Sequence, residues 1–173
     1  MKLLCVLHPS FFQAKDPSGE WGWLSRYTNS LREIGIETSL FEMQEHKIKD
    51  FDLIHFFSSD DPATWDWVQE VGIPVVVTPG LKGLRGFEQP KRGVFFLRLL
   101  RAMIQRRWPP VDQFTFYQCA KKYLIPSAWV RRVQKDWAVP SQKVILLPED
   151  PLEAARVASQ VYQSVLGASP PFC

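Results

Sequence analysis

Apolar and polar positions along the chain recur with two periods, a run or alternation suited to strands and a three-to-four spacing suited to helices. KLLCVLH (Lys2–His8) is a short apolar run of the kind that forms a buried strand. A loop with Pro9, Pro17, Ser18 and Gly19 follows, and then Glu20–Ile34 places Trp21, Leu24, Tyr27, Leu31 and Ile34 on one helical face. Gly35 is positioned to end that helix. Glu37–Phe41 alternates as a second strand, and FDLIHFF (Phe51–Phe57) reads as a third. Asp60 or Asp61 can cap a helix with Pro62 in its first turn, carrying Trp65, Val68 and Val71 and ending at Gly72. IPVVVTP (Ile73–Pro79) is the fourth strand, and its three successive valines suit a strand covered on both faces.

The second half continues the pattern. A glycine-punctuated loop, Gly80–Gly93, leads into a long basic amphipathic helix, Val94–Trp108, stopped by Pro109 and Pro110. Asp112–Ala120 reads as helical, Lys122–Ile125 as strand five, and Ser127 as the cap of a helix to about Trp137. Lys143–Leu147 is strand six, followed by a last helix over about Leu152–Leu166 and a Pro-rich tail. Strands alternating with helices predict parallel crossovers. The expected fold is α/β, a single Rossmann-like domain with an open, mostly parallel sheet of about six strands and helices on both faces. Residues 1–150 would form the domain, 151–167 a closing helix packed on it, and 168–173 a tail. Ligands in such sheets bind at the carboxyl ends of the strands, near the topological switch point.

Composition narrows the class. A chain of 173 residues, 46% hydrophobic and 23% charged, can bury a full core without metal or disulfide staples. Cys5, Cys119 and Cys173 are odd in number, scattered, and form no CxxC pair. That excludes a disulfide framework and a structural zinc site and fits a reducing cytoplasm, with Cys5 buried in its apolar run. The opening MKLLCVLHPSFF has an apolar core of only Leu3–Leu7, cut by His8 and Pro9, too short for a secretory signal. No stretch approaches the roughly 20 apolar residues that span a bilayer, so the protein is expected to be soluble or peripheral. The net charge of +3 hides an asymmetry. Between Lys82 and Arg107, eight basic residues face Glu88 alone, a local +7 that leaves −4 for the remainder. Such local charge points to a surface meeting something anionic.

The usual self-contained catalytic kits are missing. There is no GxGxxG after the first strand, no GxxxxGK[ST] and no GxSxG, and the three histidines lack metal spacing. No catalytic residue, metal ligand or cofactor is therefore assigned. The loop PSGEWG (Pro17–Gly22) opens a helix, where backbone N–H groups attract anions. Ser18 and Gly19 could cradle a phosphate or sugar phosphate; a simple capped helix start is preferred, because Glu20 already complements the dipole. His55 ends the third strand beside Ser58, Ser59, Asp60 and Asp61, where a site would lie, yet an isolated strand histidine is ordinarily a satisfied structural residue.

The helix Val94–Trp108 sets Phe95, Phe96, Leu99, Leu100, Met103 and Ile104 in one broad stripe, with Arg98, Arg101 and Arg106 on or beside the other face. Two readings stand level: an interfacial helix on anionic lipid, and a core-facing helix with solvated arginines. Under the first, Lys91, Arg92, Arg98, Arg101, Arg106 and Arg107 contact the membrane or another anion. Nucleic acid is not expected, since the aromatic residues are not arranged as stacking platforms.

FDLIHFFSS, GIPVVVTPG and KKYLIPSAWVRRVQKDWAVPSQKVILLPED come in this order. Together with PSGEWGW and LSRYTNSLREIGIE, they resemble the N-terminal, acceptor-side domain of retaining two-domain (GT-B) glycosyltransferases, family four in particular. The resemblance covers about Met1–Asp150 and implies a Rossmann-like fold. It suggests Ser18, Gly19, Glu20, His55, Thr78, Gly80 and Ser127 as acceptor or phosphate contacts. In that family a "PNG" turn hands the chain to a second domain that binds the nucleotide sugar, after which a last helix crosses back. Here LLPED stands at the turn, no second domain intervenes, and AARVASQVYQSVL (Ala154–Leu166) is similar to the crossing-back helix, with Val157, Val161, Tyr162 and Val165 as its buried face.

The family's histidine two positions beyond the strand-four threonine is Gly80 here, and the paired glycines of its acceptor loop are Ser18 and Gly19. The resemblance thus implies a non-catalytic binding or scaffold protein, inactive alone. The alternative is the acceptor-binding subunit of a split glycosyltransferase, acting on a lipid-linked or saccharide acceptor while a partner chain supplies the donor domain. An unrelated small nucleotide or sugar-phosphate binder is a third reading. The expected partners are a donor-domain or other protein and an anionic membrane surface, and the expected location is cytoplasmic, including the inner face of a membrane.

Overall fold

The computed structural model describes residues 1–7, 20–40, 48–57, 72–79, 120–127 and 141–167. Six strands form one sheet: β1 (Lys2–Leu7), β2 (Glu37–Leu40), β3 (Leu53–Phe57), β4 (Val75–Thr78), β5 (Lys122–Pro126) and β6 (Val144–Leu147). Their order is β2-β1-β3-β4-β5-β6, and every neighbouring pair is parallel. The fold is open α/β and Rossmann-like, as expected. After β2 the chain crosses β1 and continues on its other side as β3, so the topological switch point lies between β1 and β3.

Side chains alternate across this sheet and divide the core in two. Leu3, Cys5, Leu53, Phe57, Val76, Leu124 and Leu147 lie on one face, beneath helices α1 (Glu20–Glu33) and α2 (Pro151–Gly167). Leu4, Val6, Ile54, Phe56, Val75, Val77, Tyr123 and Ile125 fill the other. The valine run thus feeds both faces, Val76 one and its neighbours the other, which explains its lack of alternation. Both described helices lie on the first face. The helices expected from about 61 to 72, 94 to 108, 112 to 120 and 127 to 137, like the tail 168–173, fall outside the described residues except for Gly72, Ala120 and Ser127; Ala120, expected to be helical, is not.

α1 and α2 pack on each other as well as on the sheet. α1 buries Trp23, Leu24, Tyr27 and Leu31; α2 buries Ala154, Ala155, Ala158, Val161, Tyr162 and Val165. The alanines let the helix lie close, and the larger residues fill the space one turn further along. Each helix has a defined end. Gly35, at φ +83°, closes α1 with N–H bonds from Gly35 to Arg32 O and from Ile36 to Leu31 O, both 3.0 Å. That is a Schellman ending, with Ile36 and Leu31 both buried. α2 starts at an Asp150 cap, whose Oδ1 accepts the N–H groups of Leu152 (3.1 Å) and Glu153 (2.9 Å), with Pro151 in the first helical position.

Three strands begin later than the apolar pattern predicts, β3 and β4 by two residues and β6 by one, because Lys143 ends the 3₁₀ turn Ser141–Lys143. Ile48–Asp50 is a 3₁₀ turn, and Phe51 N–H bonds back to Ile48 O, so β3 starts at Leu53 instead of Phe51. β4 starts at Val75 instead of Ile73, because Pro74 has no N–H for a ladder; its carbonyl still accepts from Ile54 N–H at 3.0 Å. No helix among the described residues is long and apolar enough to cross a membrane.

Candidate functional site

The switch point makes the carboxyl ends of β1 and β3 the place to look, and one polar side chain stands just beneath it. Alternation along β3 puts Leu53, His55 and Phe57 on the face covered by the helices. His55 pairs in register with Cys5 of β1 and Val76 of β4. It is fully buried. Its Nδ1 lies 2.7 Å from the Tyr162 hydroxyl of α2, and its Nε2 lies 2.7 Å from Thr78 Oγ1 at the end of β4. The Tyr162 hydroxyl in turn lies 2.8 Å from that of Tyr27 in α1. A continuous buried chain, Tyr27–Tyr162–His55–Thr78, therefore joins both helices to the two central strands.

Aromatic packing fixes the rings. Phe57 stacks at a tilt on His55 with centroids 3.9 Å apart, and Tyr162 meets the imidazole edge-on at 5.7 Å. Tyr27 stands edge-on to both His55 and Phe57, and Trp23 stacks on Tyr27 at 4.8 Å. A neutral imidazole has one donor and one acceptor nitrogen, so the chain can run in either sense. In one, Tyr27 donates to Tyr162, Tyr162 to Nδ1, and Nε2–H to Thr78; in the other, every proton points the opposite way.

The surroundings hold all titratable members neutral. Burial lowers His55 from its ordinary value to about 3. Burial also pushes both tyrosines above the usual phenol range, and it raises the Cys5 thiol to about 12 despite the opposing charge of Arg32. Cys5 is therefore not a thiolate nucleophile. Both nitrogens of His55 are occupied, and the ring has no access to solvent. Among the described residues no group of His, Cys, Asp and Glu could hold a metal ion. What this arrangement does is bind the helices to the sheet through oriented hydrogen bonds.

His55 and Thr78 are thus brought together, while Ser127 follows β5 at the same end of the sheet, two strands from β3. Glu20 is the first residue of α1. Ser18, Gly19 and Gly80, with Lys91, Arg92, Arg98, Arg101, Arg106 and Arg107, lie outside the described residues. No family model, curated protein or solved structure matches this chain. Sequence reasoning missed the hydroxyls of Tyr27 and Tyr162, having placed both residues on apolar helix faces. The available signal was chemical: a tyrosine on a buried face brings an O–H that needs a partner, and one strand histidine was in want of two.

Proposed function

We propose that this chain is a glycosyltransferase-like acceptor-side domain that lacks the nucleotide-sugar domain and serves as a non-catalytic binding or scaffold protein. The observation that carries the reading is the junction between β6 and α2. Only Pro148, Glu149 and Asp150 separate the last strand from a helix that docks in the core. In the family that the sequence resembles, a whole donor domain stands at this junction. Here the helix docks without it, through Tyr162 and the alanine face, which supports a unit stable in its own right.

Transfer of a sugar needs oriented groups aimed at the leaving phosphate of the donor. In the family those belong to the half that is missing at the junction. The acceptor-side cleft at the carboxyl ends of the strands would remain as a binding surface, and the basic stretch from Lys82 to Arg107 would hold the protein at an anionic membrane face in the cytoplasm. The test is copurification from the native cell with mass spectrometry, paired with a transfer assay on the purified chain. Recovery of protein partners without a nucleotide-sugar domain, and no transfer, is the expected result. Transfer from a nucleotide sugar by the chain alone overturns the proposal, and a stoichiometric partner carrying a lone donor domain makes it the acceptor half of a split enzyme.

A further inference from the structure

We propose that α2 is an acid-loosened strap: its buried apolar face and the bond between Tyr162 and neutral His55 together hold it on the sheet, and charging His55 favours its opening. This does not depend on the glycosyltransferase reading. α2 is attached to the sheet by side chains, whereas each strand is held by backbone ladders, so the helix can leave without breaking a ladder. Its chain connection is the short Pro148–Asp150 hinge. Its first turn is capped from within that hinge by Asp150, so the helix keeps its start when undocked. Tyr162 is the point where it touches the polar chain, accepting or donating at 2.7 Å to His55 and 2.8 Å to Tyr27.

Among the described residues, the groups facing His55 are Cys5 from β1, Tyr27 from α1, Tyr162 from α2, Thr78 and Val76 from β4, and Phe57 from its own strand. None is a carboxylate. An imidazolium there could still donate to the two hydroxyl oxygens, but it would have no counter-ion among these neighbours, and a buried unpaired charge is strongly disfavoured. Lifting Tyr162 away uncovers the Nδ1 edge to water and removes that penalty.

The buried ring titrates at about 3, whereas an exposed imidazole titrates near 6.5. Acidification from about pH 7.5 to about pH 5 then favours any state that exposes the ring by about 30-fold.

Hydrogen exchange on the full chain, read by mass spectrometry and corrected for the intrinsic pH dependence, tests this directly. The expected result is an opening equilibrium for the α2 amides that rises about 30-fold between those two pH values, while β1 and β3 amides stay in a slower class. A change under about 3-fold in α2, or α2 and the sheet opening together, overturns the proposal. Tyr162→Phe, which keeps the ring and removes only the hydroxyl, should loosen α2 at about pH 7.5. Unchanged protection in that variant would overturn the role given to Tyr162.

Discussion

Both faces of the sheet bury apolar side chains from the same strands, and the face beneath α1 and α2 also carries a hydrogen-bond chain through its core. On the far face, Leu4, Val6, Ile54, Phe56, Val75, Val77 and Ile125 are apolar throughout, and Tyr123 adds one hydroxyl. On the helix face, the same alternation inserts His55 and Thr78 between Leu53, Phe57 and Val76, and α1 and α2 bring Tyr27 and Tyr162 to meet them. Apolar burial drives both faces together but is non-directional, so it tolerates small shifts of whatever covers it. The hydrogen-bonded face does not, because sliding α2 by one turn would orphan His55 Nδ1 and the Tyr27 hydroxyl. Each orphaned buried group costs about 1–3 kcal/mol. The far face supplies bulk stability; the helix face supplies stability and register.

Truncation should expose this contrast most clearly. Phe56→Ala removes a fully buried ring from the far face and should cost about 4 kcal/mol by urea unfolding. Tyr162→Phe removes a single oxygen from the helix face, yet it strands two buried groups and should cost about 3 kcal/mol. The further test is non-additivity. Tyr27→Phe removes one of the stranded partners, so the double variant Tyr27→Phe/Tyr162→Phe should be less destabilised than the sum of the singles. A strictly additive cycle would mean that the three hydrogen bonds of the chain act as independent contacts.

The far face was more legible in the sequence than the helix face. Runs such as LLCVL and VVV declare strands buried on both sides, and the alternating division follows once they pair in parallel. Gly35 marked the end of α1, and three of the four residues expected on the buried face of α2, Val161, Tyr162 and Val165, are buried; Val157 is half-buried, and Ala154, Ala155 and Ala158 complete that face instead. The starts of β3 and β4 were misplaced by two residues because Phe51 and Ile73 are apolar but sit in a turn and before Pro74, where ladder bonds cannot form. The polar chain was hidden for a different reason. Tyr27 and Tyr162 stand 135 residues apart, and each looks apolar within its own helix. Hydrogen-bond partners across a core depend on packing, which local periodicity does not encode. Ser18, Gly19 and Gly80 are proposed from the loop pattern and the resemblance, and the basic residues from Lys91 to Arg107 from the local charge of their stretch.

Acid should cost about 2 kcal/mol through His55 on the helix face. The folded-state value of His55 is depressed to about 3, below the unfolded value near 6.5. Between these the unfolded chain binds more protons, so stability rises with pH there. The contribution is fully present above the unfolded value and is lost as pH falls below it, at up to about 1.4 kcal/mol per pH unit, levelling off below about pH 3. From about pH 7 to about pH 5, wild type should lose about 2 kcal/mol of unfolding free energy. Phe56→Ala should lose the same amount, because its defect on the far face leaves His55 and its hydrogen-bond partners in place. A folded His55→Asn variant should lose that portion of the slope, and an unchanged slope in it would assign the acid sensitivity to other groups.

The smallest effect concerns how α1 is set over the helix face. Gly35 lies at φ +83° with nothing within 4 Å of where a Cβ would stand. Space is therefore not the constraint; the backbone conformation is. Gly35→Ala should cost about 1 kcal/mol, the penalty for an L side chain in the left-handed region. Gly35→Asn should cost less, because asparagine tolerates that region better. Gly167 is the control: it also has open space around it, but it is not at positive φ, so Gly167→Ala should be neutral or slightly stabilising. Equal losses at the two glycines would place the cost in helix propensity or solvation and not in the Schellman turn. A loss at Gly35 alone ties the turn to the seating of α1, because Ile36 enters the core directly after it and Leu31, its partner in the turn, lies in the same cluster as Tyr27.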